Sequence, residues 1–500
     1  MPEQNIEGDR KFDEPLSKGE QKIEPFEEDE LIFGNGTKKK FSPLWRQVWA
    51  AAGCIFATIS AGMTSGYSAT LLPQLQANDT EIVITHDEAT WIASMAALPM
   101  AVGCLAAGYL IELFGRRTSH LILSVPFVVG WVMISMARTI VWILIGRFFT
   151  GLCVGLLGPV GTVFIGETSG PKYRGFLLAA ISLAIAIGIL LVHIIGTFLN
   201  WKVTAIICAI FPLLCYIVVF FVPESPSWLL SKGDISRATD AHFWLRGYDE
   251  ESIAELKSLM KKYQNVDQQK KTTWRETFER IRQPTFWKPM GILLVFFFTL
   301  QFSGVNTVAF YSVSIMKETM GNGINEYLAM IILDIVRTIM SVLACILLRH
   351  SGKRPLSIYS AFGTAFSIFG LSAFLLLAPP NSSYAWVPLL FLISYICFVS
   401  VGLMPIPWCL TGELFPLSVR GFGSGISSAF NFLTFYVVVQ TGPYMFRSFT
   451  TPVTFAIYGC VALFGGIFLI FFLPETRNKT LQEIEETYMA SSRRKDKTNS

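Results

Sequence analysis

Residues 203–225 read VTAIICAIFPLLCYIVVFFVPES, and residues 452–476 read PVTFAIYGCVALFGGIFLIFFLPET. Each is an apolar run of about 20 residues, the length an α-helix needs to cross a hydrocarbon core about 30 Å thick. Each also stops at Pro-Glu followed by a hydroxyl residue, so Pro223-Glu224-Ser225 recurs 251 residues later as Pro474-Glu475-Thr476. Two more echoes lie between them. Gly115-Arg116-Arg117 recurs after 237 residues as Gly352-Lys353-Arg354, and Glu167 with Arg174-Gly175 recurs after 246 as Glu413 with Arg420-Gly421. Three ordered repeats at nearly one offset predict a duplicated unit.

Outward from these two runs, comparable ones fall at approximately 46–70, 91–113, 118–137, 140–165, 176–198 and 203–222, then at roughly 288–313, 327–348, 355–378, 386–410, 422–441 and 452–473. The expected fold is an all-α membrane protein of 12 spans in two six-helix bundles. Residues 1–44 form an N-terminal tail, 45–222 the first bundle, 223–286 a helical linker, 287–473 the second bundle and 474–500 a C-terminal tail. Composition agrees: of 500 residues, 52% are hydrophobic and 15% charged, against about 25% charged in soluble domains. Mean hydropathy is +0.49. A water-facing enzyme is excluded, and a net charge of +4 without a basic stripe excludes nucleic acid as a partner. The nine cysteines all lie in apolar stretches, with no CxxC, so they read as small apolar residues rather than disulfides or metal ligands. No cofactor or metal is expected.

An even number of spans puts both termini on one side. The loops facing that side carry Arg116, Arg117, Lys172, Arg174, Arg349, Lys353, Arg354 and Arg420, whereas the alternate connections hold little beyond Arg138, Lys202, Lys317 and Arg447. The positive-inside rule then makes both termini cytoplasmic. Residues 1–40 are acid-rich, through Glu27-Glu28-Asp29-Glu30, and do not read as a secretory signal, so the first span is expected to direct insertion. The sequons at Asn78 and Asn381 fall on the external side as candidate glycosylation sites. In the linker, Ile253, Leu256, Leu259 and Met260 recur at helical spacing among charges, predicting short amphipathic helices under the membrane domain; a solvated linker is the alternative.

Gly108-x-x-x-Glu112-x-x-Gly115-Arg116-Arg117, Gly146-Arg147, Pro223-Glu224-Ser225-Pro226-Ser227-Trp228-Leu229, Gln301-Phe302-Ser303-Gly304-Val305-Asn306, Pro405-Ile406-Pro407-Trp408, Glu413-Leu414-Phe415-Pro416 and Pro474-Glu475-Thr476-Arg477 occur together and in order. With them the chain resembles the sugar porter family of the major facilitator superfamily over nearly all of residues 45–485, and within it the branch of the facilitated trehalose transporters. The resemblance implies a facilitative carrier of trehalose or a related sugar such as glucose, working by alternating access in the plasma membrane. A proton-coupled sugar or polyol symporter and a non-transporting sugar sensor are the alternatives. The short segment after Pro474 argues against a sensor, and the absence of H-E-x-x-H or G-x-S-x-G constellations argues against an enzyme.

A neutral polyol needs hydrogen-bonding groups not already used by helix backbone, and an aromatic face for its C–H surface. Gln301, Asn306, Trp408 and Asn431 supply these, at positions that the resemblance implies contact sugar; interhelical hydrogen bonding is the competing role for such residues. Ser182, Leu300 and Phe310 stand where the family usually has Gln, Gln and Tyr, so the pocket offers fewer polar contacts than a hexose site. Asp334 and Arg337, three apart in span eight, share a helix face, and charges at such depth are functional candidates. The expectation is that Asp334 pairs with Arg337 while the remaining Arg337 donors reach sugar; a purely structural pair is the alternative.

By resemblance, Glu112, Arg116, Arg117, Glu167, Arg174 and Glu224 in the first half, and Arg354, Glu413, Arg420 and Glu475 in the second, form a cytoplasmic gate of charge-assisted pairs. The family's proton-linked members carry an Asp in span one, where this chain has Thr64, so Arg147 lacks that partner and uniport is favoured. His193 reads as a structural or interfacial residue that could titrate near neutral pH. Glu27-x-x-x-Leu31-Ile32 fits a sorting signal for adaptor proteins.

Overall fold

The computed structural model describes residues 42–77, 82–268, 282–320, 325–377, 384, 386–415 and 419–477. Asn78, Asn381 and the Leu31/Ile32 pattern lie outside them. Among the described residues, 12 helices are long and apolar enough to cross a bilayer. Spans one to six are Pro43–Leu75, His86–Phe114, Arg116–Ser135, Ile140–Thr168, Lys172–Phe198 and Trp201–Phe220. Spans seven to twelve are Phe286–Phe310, Glu326–His350, Lys353–Leu377, Trp386–Thr411, Gly421–Phe449 and Thr451–Phe472. These match the hydropathy runs to within a turn or so, except that span eleven continues to Phe449.

The first six spans pack together, as do the last six. Span two packs on span eleven and span five on span eight. By the sequence repeat, eight is the counterpart of two and eleven of five, so the junction between the halves is two-fold.

Lipid is as apolar as the side chains, so helices gain little by burying Leu and instead associate where small residues let backbones approach. Spans one and five do this at Gly62 and Gly188: a Cβ on Gly188 would lie 2.1 Å from the Ile59 carbonyl oxygen, and one on Gly62 would lie 2.2 Å from that of Ile185. Spans two and four repeat the device, with Gly151 and Gly155 against the carbonyls of Ala96 and Met100.

The linker forms helices Pro226–Ser231, Ile235–Arg246 and Glu250–Gln268. Leu256 is buried, and Leu259 and Met260 pack with Leu229 and Leu230, while Ile253 is exposed. The middle helix is tied to the first half: Arg246 donates to the carbonyls of Thr168 (2.8 Å) and Ser169 (2.7 Å) at the end of span four. Gln47 and Arg46 of span one donate to the carbonyls of Leu245 and Trp244.

Gly188→Leu should abolish monodisperse folded protein in fluorescence-detected size exclusion, because the added side chain meets backbone that cannot yield. Gly158→Leu, with nothing within 4 Å of its added Cβ, should elute as the parent does.

Candidate functional site

Span seven is broken where its sequence reads Gln301-Phe302-Ser303-Gly304. The first helix ends at Phe302, Gly304 takes a left-handed conformation (φ 86°), and a short helix restarts over Val305–Phe310. Only glycine suits this place: a Cβ would strain the backbone and sit 2.5 Å from the Tyr458 ring. The loosened backbone is partly repaired by Tyr395, whose hydroxyl donates to the Ser303 carbonyl at 3.0 Å.

The break brings three predicted amides into one chain. Asn306 Nδ2 donates to Gln301 Oε1 at 2.5 Å, and Gln301 Nε2 donates to Asn431 Oδ1 at 2.7 Å. Gln301 and Asn431 are buried. Among the described residues, Asn306 Oδ1 and Asn431 Nδ2 make no hydrogen bond, so the chain ends on one free acceptor and one free donor. Trp408 stands beside it, 40% exposed, edge-on to Phe297 at 5.3 Å and tilted against Phe432 at 5.9 Å. The indole thus packs on Phe297, one turn before Gln301 in span seven, and on Phe432, next to Asn431 in span eleven.

Span ten reaches this place through a π-helical turn, Val399–Leu403, rather than the outright break its glycine and prolines suggest. Ser360 mends the turn, donating to the Phe398 carbonyl at 2.6 Å and accepting from the Leu403 N–H at 2.8 Å. Gly402 lets span nine come this close, since a Cβ there would lie 2.6 Å from that of Ser360.

Arg337 is buried in span eight and pairs with Asp334 at 3.3 Å, as its spacing suggests. Its Nε has no hydrogen-bond partner. Asp334 has a second partner that spacing does not reveal. Its other oxygen meets His193 Nδ1 from span five, 141 residues away, and His193 Nε2 lies 3.0 Å from the Gly66 carbonyl of span one. His193 is therefore a bridge between the halves rather than a lone interfacial residue. Ser94 with Gln440, and Tyr444 with Asp87 at 3.1 Å, also cross between the halves. An apolar contact of Ala69 with Val313 and Met330 adds to them.

Arg147 is fully buried and, as expected from Thr64, meets no carboxylate among the described residues. It is nonetheless well held. Span two is interrupted between Ser94 and Ala97, which frees the carbonyls of Ile92 and Ala93, and Arg147 donates to both at 3.2 Å. It also donates to the Thr64 carbonyl at 2.9 Å and to the Ser68 hydroxyl, both on span one, and faces the Phe310 ring at 6.0 Å.

At the other end of the bundle the charged motifs form two equivalent clusters. In the first half, Arg116 grips Glu167 with two bonds of 2.8 Å, and Ser225 Oγ joins the same carboxylate. Glu224 pairs with no arginine side chain among the described residues. Its carboxylate accepts the backbone N–H of Arg116 (2.8 Å) and Arg117 (2.9 Å), capping the positive end of span three. Gly115, at φ 91°, leaves room for it, since a Cβ would lie 2.5 Å from Glu224 Oε2. Arg117 caps the opposite polarity, donating to the Phe220 carbonyl at 2.6 Å at the end of span six.

The second half repeats this. Glu475 accepts from the backbone N–H of Lys353 (3.1 Å) and Arg354 (3.2 Å), and Arg354 donates to the Ile470 carbonyl at 2.6 Å. Lys353, not Arg354, forms the ion pair with Glu413. A lysine offers a single contact where Arg116 makes two, and Glu413 Oε2 has no partner among the described residues. The repeat of Arg116 at Lys353 was the signal for this assignment. Of the other expected gate residues, Glu112 is exposed and contributes its carbonyl to Trp228 Nε1 (3.2 Å), with no side-chain pairing among the described residues. Arg174 is exposed and reaches only the Ser169 carbonyl, at 3.4 Å. The Arg420 side chain lies outside the described residues. Among the described residues, each ion pair of these clusters lies within one half.

Comparison with known proteins agrees with this geometry. Residues 50–488 match the model of the sugar (and other) transporter family. The facilitated trehalose transporter Tret1 of Drosophila yakuba is 34% identical over 455 residues, 90% of this chain; the chain spans about half (53%) of that relative's length. The facilitated trehalose transporter Tret1-2 homolog of Drosophila sechellia is 34% identical over 463 residues, 91% of this chain and 93% of the relative. Among solved structures, the inward-open conformation of the xylose transporter XylE from E. coli superposes with a TM-score of 0.71 at 23% identity, over 89% of this chain and 99% of that one. XylE described as a proton:xylose symporter bound to 6-bromo-6-deoxy-D-glucose gives 0.71 at 25% identity, with the same coverage. With its fold, its paired charge clusters and this match over most of its length, the chain belongs to the sugar transporter family of the major facilitator superfamily.

Proposed function

We propose that this protein is a facilitative carrier of trehalose or a related sugar, moving it down its gradient across the plasma membrane by alternating access. The observation that carries the reading is the amide chain Asn306, Gln301 and Asn431 at the break in span seven, with the Trp408 indole beside it. Sugar hydroxyls both donate and accept, so they complete an amide chain that ends on one donor and one acceptor, while a C–H face of the ring lies on the indole. Names of relatives over most of the chain point to trehalose. Arg337, buried in span eight with an Nε that has no hydrogen-bond partner, is the further donor that this reading assigns to the sugar once the site opens.

In this reading the charge clusters are the gate. Arg116 with Glu167 and Lys353 with Glu413 keep the ends of their own halves rigid, and rocking of the halves opens one face while shutting the other. The excess of Lys and Arg on the loops around these clusters argues that this face and both termini are cytoplasmic. The hydrogen bonds between the halves lie toward the other face, so the protein is in a conformation shut on the outside. Uniport is favoured because Arg147 is satisfied by carbonyls and a hydroxyl, leaving no span one carboxylate to take up a proton beside it.

Reconstituted protein should take up labelled trehalose saturably and equally with or without an imposed proton gradient. Glucose uptake without trehalose uptake would retain the carrier and reject the disaccharide, and gradient-driven accumulation would establish symport instead. Arg337→Met should abolish uptake with surface expression intact; unchanged uptake would remove Arg337 from the site. Glu167→Gln loses a bidentate charged contact worth about 1.5–3 kcal/mol. It should lower the uptake rate at least about tenfold, and more than Glu413→Gln, which loses a single contact. Equal effects would refute that ranking.

A further inference from the structure

The contact between His193 and Asp334 joins span five of the first half to span eight of the second, and both groups are buried, at 0% and 3% exposure. Its proton count is fixed by its neighbours. The Gly66 carbonyl can only accept, so His193 Nε2 carries a hydrogen. Nδ1 then faces a carboxylate oxygen, and two acceptors at contact distance repel unless a proton lies between them. The assembled pair therefore holds two protons: one on Nε2 and one shared by Nδ1 and Asp334 Oδ2. A neutral histidine and an ionised carboxylate, parted and wetted, hold one. Gly66 is part of the device, because a Cβ there would lie 3.0 Å from His193 Nε2.

We propose that His193 and Asp334 together form a proton-binding site that latches the two halves at the face away from the charge clusters, so that acid on that face holds the protein shut. The charged groups around the site are consistent with a shared proton. Span eight presents Asp334 and Arg337, and span four presents Arg147, which binds the Thr64 carbonyl and Ser68 hydroxyl on either side of Gly66. On span one, Tyr67 beside Gly66 turns its hydroxyl away to the Trp201 carbonyl. Two guanidinium groups oppose a free imidazolium, and the Asp334 carboxylate, held by Arg337 on one oxygen, offsets them on the other. The site is closed from above by the apolar contact of Ala69 with Val313 and Met330. Water reaches the pair when this face opens, and the proton then leaves to the side it came from. The latch thus makes the rate respond to pH without a proton being carried across, which goes beyond the uniport reading and does not require a particular sugar.

The test needs no substrate. In the full-length protein in lipid nanodiscs, hydrogen exchange of peptides from spans five and eight is measured between about pH 5.5 and 8.5, the range in which a histidine titrates, and corrected for intrinsic exchange. Protection should fall as pH rises, by up to about tenfold per pH unit, the slope of a one-proton linkage. Peptides from span three should not follow. His193→Gln keeps a donor and removes the titration, and should give a flat profile. A flat wild-type profile, or a His193→Gln profile that still follows pH, overturns the proposal, and the wild-type result alone suffices where the variant does not fold. Once uptake is established, acid on the latched face alone should slow it. Slowing from the opposite face, or a proton flux that tracks sugar, refutes the latch while leaving the carrier intact.

Discussion

A backbone amide inside a bilayer has no water to turn to, so every helix end and every interruption needs a partner supplied by the protein. That constraint explains most of the polar side chains described above. Glu224 and Glu475 cover the positive ends of spans three and nine, and Arg117 and Arg354 cover the carbonyl ends of spans six and twelve. Ser360 bridges the π-turn of span ten, Tyr395 steadies the break in span seven, and Arg147 takes the carbonyls released where span two is interrupted. Irregular backbone is thus confined to places where a side chain from another helix answers it.

The same interactions divide the molecule into parts that hold and parts that give way. Within each half the contacts are charged, multiple and partly buried, which makes them costly to break. Between the halves the described polar contacts are a histidine on a carboxylate, a serine on a glutamine, a tyrosine on an aspartate and a guanidinium facing a phenylalanine ring, beside the packing of span two on eleven and span five on eight. Each half can then turn as a body about a two-fold junction while the contacts along that junction are remade. Lys353 in place of Arg116, and a Thr476 hydroxyl without a described partner where Ser225 joins the Glu167 carboxylate, make the second half's described cluster the looser of the two.

Hydropathy alone locates the twelve spans, because each must be apolar for about 20 residues whatever it packs against. The repeat of Pro223-Glu224-Ser225 at Pro474-Glu475-Thr476 gives the duplication. Gln301, Asn306 and Asn431 are legible as polar residues in apolar spans, but their linkage is not, since it depends on the turn that Gly304 permits. Asp334 with Arg337 is legible because three residues bring them onto one face. His193 with Asp334 is not, since no local spacing records a meeting of residues on different bundles. Glu224 reads in the sequence as a partner for arginine side chains, whereas it caps backbone N–H groups, which have no letter in the sequence. The repeat aligns Lys353, not Arg354, with Arg116, and Lys353 is the residue that pairs with Glu413.

Arg147 sits deep in the first half with carbonyl and hydroxyl dipoles around it and no carboxylate among its described partners. When that half rocks, the charge rocks with it and sweeps part of the electric field across the membrane. A full traverse at 100 mV is worth about 2.3 kcal/mol, and a tenth of it about 0.2 kcal/mol. In the proposed carrier cycle, the balance between the two faces is therefore tied to membrane voltage even for an uncharged cargo, and depolarisation shifts that balance with no change in cargo on either side.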